Sequence, residues 1–203
     1  MAHQHSVGVD DEEPQGYYQL LATAVRELLI EKGVFTADDV RHAIEAIDAI
    51  SPALGARVVA RAWVDPAYKE RLLGDGSAAV EELGIEMAGT NLVVVENTPE
   101  VHNLVVCTLC SCYPRALLGL PPAWYKSAAY RSRAVREPRA VLAEFGTGVE
   151  DGIEVRVHDS TADMRYLVLP MRPPGTEGMS EEELARLVSR DTMIGVARVA
   201  APG

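Results

Sequence analysis

Basic charge is scarce in this chain of 203 residues: 19 lysines and arginines stand against 30 aspartates and glutamates, a formal net charge of −11. Such a balance repels phosphate backbones and anionic lipid surfaces, so neither nucleic acid nor a membrane is an expected partner. No apolar run approaches the ~20 residues needed to cross a bilayer. The opening stretch MAHQHSVGVDDEEPQG lacks the basic start and unbroken apolar core of a secretory signal, which points to a cytoplasmic protein. His3-x-His5 in that stretch reads as a polar tail rather than a metal site. Glycine-rich phosphate loops of either common spacing are missing, and so are internal repeats, so nucleotide binding and solenoid folds have no support. There are only three cysteines, with no fourth to complete a disulfide framework.

What is present is an ordinary globular composition, 48% hydrophobic and 24% charged, on a chain long enough to bury a sizeable core. From Tyr17 to Glu31, Leu20, Leu21, Ala24, Val25, Leu28 and Leu29 recur at helical spacing, and Gly33 is a natural stop. Thr36, with Asp39 three residues on, caps a second helix with the stripe Val40, Ala43, Ile44, Ile47 and Ile50; Ser51-Pro52 ends it. Two such helices can pack on a partner chain as readily as on their own domain.

Asp65-Pro66 and Ser77 read as caps of two short helices ending near Gly74 and Gly84. The character then changes to β-rich runs, Asn91 to Glu96 and Val101 to Val106, with Asn97-Thr98-Pro99-Glu100 as a turn-like spacer. Pro121-Pro122 opens a helix through Tyr130, and a basic stretch (Arg131, Arg133, Arg136, Arg139) leads into residues 140–145. Strands are expected at Ile153 to Val157 and Met164 to Leu169, and Ser180 followed by three glutamates starts a last helix. Without a clean βαβ repeat, the expected class is α+β: a layered domain with a small central β region flanked by helices, plus an N-terminal helical arm. We expect residues 1–50 to form the tail and arm, and residues 51–203 the domain that carries the chemistry.

That chemistry centres on Cys107-Thr108-Leu109-Cys110-Ser111-Cys112, which follows a strand. Three sulfurs on a tight turn converge on one ion, which neutralises thiolates that otherwise repel. Structural zinc wants four side-chain ligands, usually in two separated pairs, and only one cluster exists. His102 is a candidate fourth ligand, but inside an apolar strand it reads better as a satisfied core histidine. A redox switch is a second option, since neighbouring thiols form disulfides or climb to sulfenic and sulfinic acid. In a third, deprotonated amides of Ser111 and Cys112 join the sulfurs in a claw of two nitrogens and three sulfurs. Such donors suit a small trivalent ion and leave a sixth position open for water or substrate, as catalysis requires.

The string from Val105 to Pro114, VVCTLCSCYP, resembles the metal-claw signature of nitrile hydratase α subunits. The likeness extends through Leu118 to Ser127, Tyr130 to Arg133, Val135 to Arg139, Arg165 to Pro170, Arg172-Pro173, Gly175 to Gly178 and Met193 to Val196, covering roughly residues 17–197. The resemblance implies that Cys107, Cys110, Cys112 and the amides of Ser111 and Cys112 hold the metal. It also implies that Cys110 is a sulfinate and Cys112 a sulfenate, and that arginines of a separate β-type subunit hydrogen-bond their oxygens. Thr108 after the first cysteine goes with trivalent, low-spin cobalt in that family, serine with Fe(III); a metal-inserting accessory protein is implied too. Some of the arginines from Arg131 onward become scaffolding of the subunit interface and metal loop.

The expected reaction is that of a lyase, hydration of a small-molecule nitrile to the amide, with Cys112, Cys110 and Ser111 as the catalytic loop. Attack by metal-activated water and attack by the Cys112 sulfenate oxygen both remain open. Two departures stand out. Where many members have Trp-Pro lining an apolar pocket, this chain has Arg115-Ala116; where some have Gln-Gly-Glu near the metal, it has Ala88-Gly89-Thr90. We place Arg115 and Tyr113 as substrate-pocket residues. Arg115, with five donors and a fixed charge, favours a polar, large or anionic substrate. Thiocyanate hydrolase, which shares the claw, is the nearest alternative; a non-catalytic metal carrier or redox sensor is the alternative of another class.

Overall fold

The computed structural model describes residues 16–87, 89–110 and 112–202. His3, His5, Ala88 and Ser111 therefore lie outside the described residues. The chain divides into two compact units between residues 47 and 48.

In the first unit, α1 (Tyr17–Glu31) and the start of α2 (Ala37–Ala49) form where the apolar spacing predicts. Thr36 and Asp39 cap α2 reciprocally. The Asp39 amide donates to Thr36 Oγ1 at 3.1 Å, and the Thr36 amide donates to Asp39 Oδ2 at 2.8 Å. The apolar stripes are nevertheless uncovered: Leu20, Leu21, Val25, Leu28, Ile44 and Ile47 are 43–56% exposed, and α1 buries none of its residues.

The second unit begins with a helix the sequence reading missed. Ser51-Pro52 does end α2, but Pro52 is also the first residue of α3 (Pro52–Val64), a position where its absent N–H costs no hydrogen bond. α3 buries Ala56, Val58, Val59, Ala60 and Ala62, and so forms one wall of the core. Asp65 caps α4 (Pro66–Gly74) by accepting from the Tyr68 amide, as expected. The next cap is a correction. Asp75, not Ser77, caps α5 (Gly76–Glu81), because its carboxylate reaches the Ala78 amide. The Ser77 hydroxyl instead accepts from the Leu92 amide at 2.8 Å and ties α5 to the first strand.

The strands β1 (Asn91–Glu96), β2 (Val101–Val106), β3 (Glu154–Asp159) and β4 (Met164–Leu169) form two parallel pairs. β1 pairs with β4 from Asn91↔Met164 to Glu96↔Leu169, and β2 with β3 from Val101↔Glu154 to Val106↔Asp159. The spacer after β1 is thus no hairpin turn. β2 buries every residue from His102 to Val106, as parallel strands covered on both faces do. A polar joint links the pairs. His158 Nε2 donates to Asn103 Oδ1 at 2.8 Å, and Asn103 Nδ2 donates to Glu96 O at 2.7 Å and Asn97 Oδ1 at 3.0 Å.

Short helices complete the layers: α6 (Arg115–Leu118), α7 (Ala123–Lys126), α8 (Ala128–Arg136), α9 (Pro138–Glu144), α10 (Glu181–Leu187) and α11 (Arg190–Ile194). The single helix expected through Tyr130 is broken at Ser127, whose hydroxyl caps α8 by accepting from the Tyr130 amide. α11 ends at Gly195, where φ is +88° and any Cβ would stand 2.0 Å from the Asn103 carbonyl oxygen. Only glycine fits that approach of backbone to backbone. Among the described residues, no helix is long and apolar enough to cross a membrane.

Candidate metal centre

The buried strand β2 delivers Cys107, itself fully buried, to its carboxyl end; the chain then turns outward so that Cys110 is exposed and Cys112 half-buried. The three sulfurs lie within 4.8 Å of one another. Cys107 Sγ is 3.4 Å from Cys110 Sγ, which is 3.1 Å from Cys112 Sγ. Two sulfurs ~2.3 Å from one ion are about 3.3 Å apart at a right angle and about 3.8 Å apart at the tetrahedral angle. Both spacings let the sulfurs reach one ion, and three sulfurs from a single cluster, with no fourth side-chain ligand grouped with them among the described residues, fit trivalent cobalt or iron better than a four-ligand structural zinc.

Burial, with the neighbouring Cys110 and Cys107 thiols, pushes the Cys112 thiol up to about 12, partly offset by the Arg165 charge. With no ion at the site the thiol therefore keeps its proton, and an incoming ion must displace it.

Four side chains grip the loop. Tyr130, which burial holds well above the usual phenol range, donates to Val105 O at 2.7 Å just before the first cysteine. Tyr125 donates to Cys112 O at 2.8 Å at the far end. Arg131 Nη1 donates to Thr108 O at 3.4 Å. Asp159 accepts from both the amide and the hydroxyl of Thr108, at 2.9 and 2.5 Å. Arg131 is among the arginines expected as scaffolding of the metal loop, whereas the spacing of residues gives Tyr125, Tyr130 and Asp159 no role there. Local spacing cannot reveal a partner 51 residues away.

The other candidates are placed as follows. Ser111, whose amide was expected to ligate, lies outside the described residues. Tyr113 is buried one residue past the loop, its ring edge-on to Tyr125 at 4.9 Å and its hydroxyl without a hydrogen-bond partner among the described residues. Arg115 starts α6, exposed, and its guanidinium makes no hydrogen bond to a described residue. His102 is apart from the sulfurs: its Nε2 donates to Gly195 O at 2.7 Å, and burial holds its pKa below the ordinary value. That is the satisfied core histidine expected from the apolar strand. Among the basic residues, Arg133 pairs with Glu137 and Glu144, and Arg139 caps the carbonyls of Val149, Glu150 and Ile153.

Compared with known families, residues 16–197 match the model of the nitrile hydratase α chain. The chain belongs to that family. Among the relatives is the α subunit of the low-molecular-weight cobalt-containing nitrile hydratase of Rhodococcus rhodochrous, 54% identical over 86% of this chain and 85% of that one. The cobalt-containing α subunit from Pseudonocardia thermophila is 52% identical over 92% and 93%. Thiocyanate hydrolase subunit gamma from Thiobacillus thioparus is 46% identical over 92% and 81%. Among solved structures, a recombinant thiocyanate hydrolase with partially modified cobalt centres superposes with a TM-score of 0.84 at 44% identity, covering 93% of this chain and 92% of that one. A double mutant of the Fe-type nitrile hydratase from Comamonas testosteroni Ni1 gives 0.84 at 43%, covering 92% and 94%. This nitrile hydratase α chain thus has relatives named for either metal and for either triple-bonded substrate.

Proposed function

We propose that the chain is the metal-bearing subunit of a cobalt nitrile hydratase that converts a nitrile to its amide, and that Cys107, Cys110, Cys112 and the amides of Ser111 and Cys112 hold the ion. The observation that carries this is the sulfur triangle, its three members within 4.8 Å of one another and two of its sides 3.4 and 3.1 Å long. When bound, a trivalent ion supplies a Lewis acid that polarises the carbon of C≡N. The chain's own residues do the rest. Cys107 anchors the site in the core, Tyr125 and Asp159 hold the loop at either end, and exposed Cys110 with half-buried Cys112 presents its reactive side outward. In this reading Cys110 is a sulfinate, Cys112 a sulfenate, and Arg115 with Tyr113 borders the substrate.

A β-type partner is part of the proposal. Leu109, at the tip of the loop, is 85% exposed, and the stripes of α1 and α2 are open; exposed apolar surface of this kind marks association. Residues 1–50 would serve as the arm that docks, residues 51–203 as the catalytic domain. A metal-inserting accessory protein and a cytoplasmic setting complete the reading. A second reading, thiocyanate hydrolase, is favoured by one observation: the exposed guanidinium of Arg115, three residues past Cys112 and without a partner among the described residues, suits an anionic substrate.

The test is metal analysis and intact mass of the chain co-expressed with its β-type partner in cobalt-supplemented medium, followed by nitrile and thiocyanate assays. We expect a single cobalt, added oxygen mapping to Cys110 and Cys112, and nitrile turnover. Zinc with unmodified cysteines under cobalt supplementation would overturn the proposal; turnover of thiocyanate alone would select the second reading.

A further inference from the structure

We infer that Asp159 is a positioning residue of the metal loop, acting through Thr108 to set where the cysteine sulfurs stand. The inference rests on the metal-bearing reading above.

Both Asp159 oxygens bind one residue. Oδ1 accepts the Thr108 amide at 2.9 Å and Oδ2 accepts its hydroxyl at 2.5 Å. Two attachment points fix the rotation of the Thr108 backbone as well as its position. The carbonyl of the same residue faces Arg131 Nη1 at 3.4 Å, so Thr108 is held on three sides. Asp159 is itself immobilised by the sheet. It stands opposite Val106 in the parallel register, and the next amide, Ser160, donates to Val106 O at 2.7 Å. The carboxylate is therefore referenced to the same strand end that carries Cys107.

Thr108 is the first residue of the turn from Cys107 to Cys110, whose amide closes back on Cys107 Sγ at 3.3 Å. A change in the angle at which the turn leaves β2 moves Cys110 and Cys112 together relative to Cys107. The branched Thr side chain restricts χ1, which points the hydroxyl at Asp159 in advance; serine leaves that rotation freer.

This contact has little to give to global stability. Asp159 is exposed and Thr108 half-buried, so water competes for both bonds. A bond of small stability that fixes the approach of metal-ligating atoms acts on the ion. Groups that hydrogen-bond a metal's ligands are worth about 10–100-fold in affinity, and Asp159, one residue further out, should act at the lower end of that range.

The experiment uses the cobalt-loaded complex of the full chain with its β-type partner. It measures the rate of cobalt release to EDTA, the sulfur-to-cobalt charge-transfer absorption, and the unfolding midpoint of the metal-free chain. Asp159→Asn keeps one acceptor but turns a donor toward a donor; Thr108→Val keeps the shape and removes the hydroxyl; Thr108→Ser restores it. We expect release about tenfold faster or more in Asp159→Asn and Thr108→Val, with a shifted absorption band and an unchanged midpoint. Thr108→Ser should recover most of the loss, and the Asp159→Asn/Thr108→Val double variant should release little faster than the worse single one, because both act through one contact. Wild-type release and absorption in Asp159→Asn, full multiplicativity in the double variant, or a midpoint that falls in step with release would each overturn the inference while leaving the metal-bearing reading intact. A wild-type complex that takes up no cobalt would overturn both.

Discussion

The two units of the chain treat apolar surface in opposite ways. α1 and α3 are both regular helices with apolar stripes, yet α1 buries nothing while α3 buries residues along its length, Val58, Val59 and Ala60 completely. The difference lies outside either helix. α3 is covered by α6, α10 and α11 of its own unit, whereas α1 and α2 keep Leu20, Leu21, Leu28, Ile44 and Ile47 open. Periodicity thus states that a face will be covered, but not which chain supplies the cover.

Mutations put that contrast to the test. The largest effect should come from Gly195→Ala, which sets a Cβ against the Asn103 carbonyl at a left-handed φ; we expect a loss of ~4 kcal/mol or more by chemical denaturation. Leu72→Ala, at a fully buried position, should cost about 2–5 kcal/mol in the same titration. Tyr130→Phe strands the Val105 carbonyl in the core and should cost about 1–3 kcal/mol.

Acid should act on the second unit next. Burial depresses the folded-state pKa of both His102 and His158, so the unfolded chain takes up protons first as pH falls. Their contribution is complete above the unfolded value of ~6.5 and is lost as pH falls from there toward the depressed folded values. A thermal midpoint lower at pH 5 than at pH 7, with the gap narrowed in His102→Gln, would show it.

The smallest effect belongs to the first unit. Leu28→Ala in the isolated chain should change stability by no more than ~0.5 kcal/mol. Leu28→Asp should nevertheless weaken capture of the β-type partner about tenfold in a titration, since a charge then enters an apolar contact. Equal loss of stability in Leu28→Ala and Leu72→Ala would erase the distinction between the units.

The same asymmetry explains what could be read from residues alone. The sulfur cluster was legible because its three members lie within six residues, and β1, β2 and β4 begin and end where the β-rich runs do. α3 was missed because one proline both stops a helix and starts the next, and local pattern does not separate those uses. Asp75 rather than Ser77 caps α5, and the Ser77 hydroxyl is taken up by the Leu92 amide, a contact across elements that local spacing does not show. β3 lies slightly later than expected, at Glu154–Asp159, because pairing with β2 rather than composition sets its limit. Strand partners, the Asn103 joint and the grip of Asp159 on Thr108 all span long separations, and short-range spacing carries no trace of them.

One consequence of the parallel pairing concerns the order of synthesis. β2 emerges from the ribosome with all three cysteines soon after it, but its partner strand follows about fifty residues later. A nascent chain that ends between residues 112 and 154 has every sulfur but lacks β3, the strand that pairs with β2. Contacts of such long range form late in folding. If the loop takes up cobalt as proposed, uptake by stalled chains of graded length should rise only once β3 has cleared the exit tunnel.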